Sequence, residues 1–305
     1  MNIWRACSTV ISLLFCLTGV LVTGNKVRHE RAIGGRPISR GQWPWLVVLR
    51  ATITTQTLFG IIPIRHKHIY CGGSVLNDRW VVTAAHCFKE ARSQARRPHK
   101  WEVRLATVSL KMNPLERIRH VLGQIFDRSD WVQWEIDVER IVIHPQYDSA
   151  DSWANDIALV KLERSVPSGA SYSAIRRIKL PIQGDNSFPS VGQTCVAKGW
   201  GCTHNGEGPS SVARELELPI YGNSQCRHQY RLNTMSKRIC AGYRDGGVGV
   251  CAGDSGSPLV CERDGDYVLV GIVSFTSRDD PELYPAVSTR VSDYVQWINT
   301  TMRTL

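Results

Sequence analysis

Residues 253–258 read Gly-Asp-Ser-Gly-Ser-Pro. Glycines on both sides of Ser255 permit a turn tight enough to expose its hydroxyl and to aim backbone N–H groups outward. Alone, this is a common turn composition. Two upstream stretches change its meaning. Residues 83–87, Thr-Ala-Ala-His-Cys, set His86 beside a cysteine, and residues 155–159, Asn-Asp-Ile-Ala-Leu, put Asp156 at the head of an apolar run. A serine hydroxyl is a poor nucleophile until an imidazole takes its proton, and an acid is needed to hold that imidazole's tautomer. The three stretches follow one another in the order His, Asp, Ser.

The surrounding chain reads as short β-rich runs bounded by Gly, Pro, Asn and Asp, such as 45–49, 79–82, 157–162 and 267–275. Helical periodicity is scarce until the end, where Val291, Tyr294, Val295 and Ile298 share a face and Ser292 or Asp293 can cap it. The 305 residues are 43% hydrophobic and 21% charged, which excludes wholesale disorder and fibrous repeats. The net charge of +10 favours acidic partners without choosing among them.

The first 24 residues carry Arg5, an apolar run from Val10 to Val22 and small residues at 22–24, the pattern of a secretory signal. That run, about 13 residues, is shorter than the roughly 20 a membrane span needs. Removing residues 1–24 leaves Cys71, Cys87, Cys195, Cys202, Cys226, Cys240, Cys251 and Cys261, an even set that in an oxidising compartment suggests four disulfides. Asn299-Thr300-Thr301 fits the N-glycosylation pattern.

His86, Asp156 and Ser255 in that order, with Cys71-Gly72-Gly73-Ser74 and Gly199-Trp200-Gly201, resemble the chymotrypsin-like (trypsin-family) serine proteases from Ala32 to about Ile298. The resemblance implies an all-β fold of two antiparallel six-stranded barrels with a C-terminal helix. The first barrel would occupy about 45–160, the second about 161–290 and the helix about 292–300. It implies that His86 is the general base, that Asp156 orients it, and that backbone N–H groups of Gly253 and Ser255 hold the oxyanion. Peptide and protein substrates follow, with a protein inhibitor as a candidate partner; no cofactor, metal or nucleic acid is expected, and the chain should be a monomer.

Arg31-Ala32-Ile33-Gly34-Gly35 resembles the family's activation site. Cleavage after Arg31 by a trypsin-like activator would release the propeptide 25–31 and leave the protease domain 32–305. The freed Ala32 ammonium would pair with Asp254. Ala32 stands where the family usually has isoleucine, so it buries less apolar surface and predicts a weaker activation step.

By the same resemblance the substrate P1 side chain enters a pocket based at Gly249 and Val250 and walled by Ser274, Phe275, Thr276 and Ala286. An aspartate at the Gly249 position would select Arg or Lys. Its absence, with side chains at Thr276 and Ala286 narrowing the slot, points to an elastase-like preference for Ala, Val or Leu. The alternative is basic specificity drawn from a rim of Asp279, Asp280 and Glu282. Another is a non-catalytic glycan-binding homologue.

The family pattern pairs Cys71 with Cys87, Cys195 with Cys261 and Cys226 with Cys240. It leaves Cys202 and Cys251, for which either a bridge or two free thiols can be written. Two long insertions, one around Arg65-His66-Lys67-His68 and one including Arg92, Arg96, Arg97, His99 and Lys100, carry the basic excess: 13 Lys and Arg against 4 Asp and Glu from Arg50 to His120. They read either as a solvated basic face or as an exosite for sulfated glycan or acidic substrate segments. His66 and His68 lack a third ligand for a metal.

Overall fold

The computed structural model describes residues 35–59, 61–89, 93–111, 114–125, 133–167, 175–243 and 246–305. The signal segment 1–24, the propeptide 25–31 with Arg31, and Ala32 and Arg92 lie outside the described residues.

Six antiparallel strands close the first barrel. They are β2 (Leu46–Leu58), β3 (Ile62–Val75), β4 (Trp80–Thr83), β5 (Trp101–Leu105), β6 (Trp134–Ile143) and β7 (Ala158–Leu162), in the spatial order β2-β3-β4-β7-β6-β5. Its core is made by inward aliphatic and aromatic residues, among them Val47, Leu49, Val81, Trp101, Val103 and Leu159. The second barrel uses β8 (Thr194–Gly199), β9 (Arg214–Tyr221), β10 (Arg238–Ala241), β11 (Pro258–Arg263), β12 (Asp266–Phe275) and β13 (Ala286–Arg290). Its order is β9-β10-β13-β12-β11-β8, and β8 pairs back onto β9 to close it. A two-residue strand, β1 (Arg36–Pro37), adds to the edge of β9.

Local chemistry explains the joints. Asp264 and Gly265 both have positive φ between β11 and β12, as a two-residue hairpin with the right twist requires. Gly35 must be glycine, because a Cβ there would lie 1.8 Å from the Glu215 carbonyl oxygen. Four disulfides join Cys71 to Cys87, Cys195 to Cys261, Cys202 to Cys251 and Cys226 to Cys240.

Four α-helices lie among the described residues: α1 (His86–Lys89), α2 (Pro114–Ile125), α3 (Asn223–Tyr230) and α4 (Val295–Thr304). The C-terminal helix starts later than its residues suggest. Residues 291–293 form a 3-10 turn, Tyr294 is the N-cap, and no side chain caps the helix. Tyr294 and Ile298 are drawn into the cluster that fills the first barrel, which explains why Ser292 is buried rather than capping. α2 is the other departure. Its stretch has helical spacing at Leu115, Ile118, Leu122 and Ile125, within an insertion otherwise conspicuous for its charge.

Two features of the first barrel stand out from its wall. The β2–β5 pairing ends at Ala51 with Trp101, yet β2 and β3 stay paired out to Leu58 with Ile62. Ile53 is still buried in the barrel core, and from Thr55 onward the end of that hairpin is a two-stranded ribbon with no third strand paired to it among the described residues. No described helix is long and apolar enough to cross a membrane.

Candidate active site

Strand β4 delivers Thr83, and His86 follows at the start of α1, beside Cys87 and its disulfide to Cys71. Asp156 precedes β7 and is completely buried. A buried carboxylate must be satisfied by hydrogen bonds. Asp156 accepts from the His86 backbone N–H at 2.9 Å and lies 2.7 Å from His86 Nδ1 through Oδ2. Ser274 Oγ donates to the same Oδ2 at 2.5 Å. Thr289 Oγ1 donates to the Asp156 carbonyl at 2.7 Å. Asp156 is thus held by both barrels, and His86 is left with a fixed ring orientation.

The turn at 253–258 is bound to the first barrel as well as the second. The Gly72 N–H donates to the Ser255 carbonyl at 2.8 Å, and the Gly256 N–H donates to Val273 at 2.8 Å. Gly256 has φ +77°, and a Cβ there would lie 2.1 Å from Thr83 Oγ1. Thr83 in turn donates to the Gly72 carbonyl at 2.7 Å. Gly253 has φ +108° and its missing Cβ would sit 2.7 Å from the Trp200 carbonyl oxygen. Both glycines are therefore needed where they stand.

Asp254 lies under this turn. Its carboxylate accepts from the Gly201 N–H at 2.7 Å and the Cys251 N–H at 2.9 Å. These donors flank the Cys202–Cys251 bridge. A side chain at Gly199 or Gly201 would collide with the carboxylate, which accounts for the Gly-Trp-Gly spacing. Burial pushes the Asp254 pKa up to about 6, against the lowering effect of the two N–H donors.

Beside Ser255 opens a cavity of about 470 Å³. Val250, Ser274, Phe275 and Thr276 line it, together with Ala252 and Pro281. Phe275 is fixed between the Trp153 and Tyr230 rings, at 5.3 and 5.5 Å. Tyr230 donates to the Pro285 carbonyl at 2.7 Å, and burial pushes its pKa up to about 12.

Three expectations about this pocket need correction. Gly249 does not line it: a Cβ there would meet the Pro281 carbonyl oxygen at 2.2 Å, because residues 281–282 fill the space a base side chain would use. Ala286 does not line it either. It is buried, pairing with Ala241 in the second barrel. Nor is Glu282 a rim residue. Asp279 and Asp280 are exposed, but Glu282 is buried against Gly246 and Gly249, and its Oε2 has no partner among the described residues. The sequence reading also missed Ser274 as an Asp156 donor, Thr289, Thr83 and Pro281, whose roles depend on contacts between distant segments. Asn299 is exposed on α4. Among the described residues no three His, Cys, Asp or Glu side chains are grouped to hold a metal.

Two closed six-stranded barrels, with His86 hydrogen-bonded to a buried Asp156 and a Gly-Asp-Ser-Gly turn bound to both barrels, define a two-barrel serine protease. The family described as Trypsin matches residues 32–298. The chain is also 33% identical over 269 residues to coagulation factor XI of Bos taurus, a match covering 88% of this chain and 37% of that protein. The chain thus spans little more than a third of the length of that relative. It belongs to the trypsin family of serine endopeptidases.

Proposed function

We propose that this chain is the secreted zymogen of a monomeric serine endopeptidase whose triad is His86, Asp156 and Ser255. Ser255 Oγ attacks the scissile carbonyl carbon while His86 takes the hydroxyl proton, and Asp156 stabilises the imidazolium. The Gly253 and Ser255 N–H groups receive the charge on the carbonyl oxygen, a contribution of roughly 3 kcal/mol per donor. Collapse breaks the C–N bond, and His86 returns the proton to the leaving amine. Water then cleaves the ester by the same route and restores Ser255.

The observation that carries this reading is the three-point hold on the buried Asp156 carboxylate by His86 and Ser274. An alkyl fluorophosphonate should label Ser255 in protein cut after Arg31, and leave Ser255→Ala and His86→Ala unmodified. Wild-type labelling of His86→Ala would overturn the assignment.

Removal of residues 1–24, then cleavage after Arg31 to release 25–31 and free Ala32, belongs to the same reading. Asp254, buried with two N–H donors, is a suitable acceptor for that ammonium. Protein substrates follow from the mechanism, and a protein inhibitor could occupy the same cleft.

For P1 we favour Ala, Val or Leu, because Val250, Val273, Phe275 and Pro281 make the cavity apolar and Arg278 adds a positive charge. Glu207, the carboxylate among the lining residues, is tied to Thr203 and His204. One observation favours basic P1 instead: buried Glu282, whose backbone packs against Gly249, has an Oε2 with no hydrogen-bond partner among the described residues. A P1-varied peptide library decides. Cleavage after Arg or Lys that Glu282→Gln abolishes would replace the aliphatic reading.

A further inference from the structure

The free ribbon of β2 and β3 ends in side chains that the fold does not use. Phe59 and Ile61 are 86% and 83% exposed, and Leu58 and Ile64 are 44% and 52% exposed. They come from both strands and the turn, so the ribbon is apolar at its end rather than on one face. Arg65, His66, Lys67 and His68 follow at once on β3, all exposed. At about 3.3 Å per residue the cations Arg65 and Lys67 lie about 13 and 20 Å behind Ile61 at the apex, while burial and Arg50 lower the pKa of His68. No Asp or Glu occurs from Arg50 to Asn77. Arg50 is engaged with Glu102, but Arg65 and Lys67 have no carboxylate partner among the described residues.

We propose that this hairpin tip docks the protein on an anionic lipid bilayer. Leu58, Phe59, Ile61 and Ile64 enter the boundary between headgroups and acyl chains, while Arg65 and Lys67 lie at the level of the lipid phosphates. Apolar side chains backed by cations are the arrangement that an interface of this kind takes up. A sulfated glycan would be read by the cations alone and would leave the apolar apex in water. A protein groove has walls, whereas this tip has no flanking structure among the described residues and is suited to end-on insertion.

The position has a consequence for the protease. β3 runs from the tip to Gly72, whose N–H holds the Ser255 carbonyl. A docked molecule therefore keeps its catalytic turn within reach of chains that emerge from the same bilayer. The docking itself does not depend on the catalytic reading.

A second exposed apolar stripe supplies an internal control. α2 turns Leu115, Ile118, Val121 and Ile125 outward, while Glu116 and His120 bond to Ser109 and Gln133. Its connection is rooted at Leu105, which pairs with Val47. Leu58 lies about 36 Å further along β2 at ~3.3 Å per residue, so the two apolar features spring from opposite ends of that strand.

The test is flotation of the full chain, cut after Arg31 and carrying Ser255→Ala, with vesicles of phosphatidylcholine alone or with roughly 30% phosphatidylserine. Binding to the anionic vesicles should be at least about ten-fold tighter than to phosphatidylcholine and should weaken as salt rises. Phe59→Ser with Ile61→Ser should lower it at least about ten-fold. Arg65→Ser with Lys67→Ser should lower it and flatten the salt dependence, while Ile118→Ser with Ile125→Ser should leave it within about two-fold. In the Ser255 background, the tip variants should hydrolyse a soluble peptide at the unaltered rate, which shows that they fold. Three results would overturn the proposal: undiminished flotation of the folded tip variant, loss with the α2 variant instead, or retention on heparin with no flotation.

Discussion

On the proposed activation, Asp254 would couple cleavage after Arg31 to pH, and its burial sets the size of the effect. In the folded chain its carboxyl titrates near 6, against 3.8 for an unperturbed aspartate. Between these values the folded state holds a proton that the unfolded state has released. Stability therefore falls as pH rises from about 4 to 6, and stays lower above that. The rise from 3.8 to about 6 corresponds to about 3 kcal/mol. An ammonium from Ala32 beside the carboxylate would favour its charged form and cancel much of this loss. The assay is urea unfolding of Ser255→Ala protein at pH 4 and pH 7, uncut and cut after Arg31, each compared with Asp254→Asn. The asparagine variant removes this titration while keeping all others, so the difference isolates Asp254. Uncut protein should lose about 3 kcal/mol relative to its asparagine variant over this range, and cut protein should lose markedly less. An identical difference in both forms would show that the new terminus does not reach Asp254, and the activation reading would fail with it.

Ser274→Ala removes one of the donors to a buried carboxylate and should lower kcat/KM about 10- to 100-fold, since such bonds contribute about 1.5–3 kcal/mol. Steady-state peptide hydrolysis measures it; a change under two-fold would make Ser274 a wall residue only. Gly253→Ala places a Cβ against the Trp200 carbonyl at positive φ, so peptidase activity should fall at least about 100-fold while both barrels stay folded by circular dichroism. Replacing Cys202 and Cys251 together by serine opens a loop with sequence separation 49. The chain-entropy relation gives a loss of about 4 kcal/mol, read as a lower urea midpoint. The same variant should lose activity, because both N–H donors to Asp254 sit at that bridge.

The fold was legible wherever one segment carries its own instruction. Short β-branched runs and turn residues such as Asp264-Gly265 specify strands and hairpins from local sterics. The glycines around Ser255 and at Gly199 and Gly201 were visible as a pattern, but their reason was not. Each is required by an atom from a distant segment: the Trp200 carbonyl, Thr83 Oγ1 or the Asp254 carboxylate. The pocket was the least legible part. The family resemblance implied Gly249 and Ala286 at its surface, whereas the path of residues 281–282 fills the base and covers Gly249. The same path buries Glu282, which composition would place in solvent.

The sequence by itself determined that this is an all-β chain with a His, Asp and Ser in fixed order, eight cysteines after residue 24 and a basic first half. These are properties of residue type and spacing, and local physics acts on them directly. Only the tertiary structure decided which donors hold Asp156, what floors the pocket, and that Leu58, Phe59, Ile61 and Ile64 stand in solvent at the end of a ribbon. In sequence those four are simply apolar residues, as fit for a core as any others. Whether an apolar side chain is buried depends on what packs over it, and here β5 stops pairing at Ala51 and nothing among the described residues covers the tip.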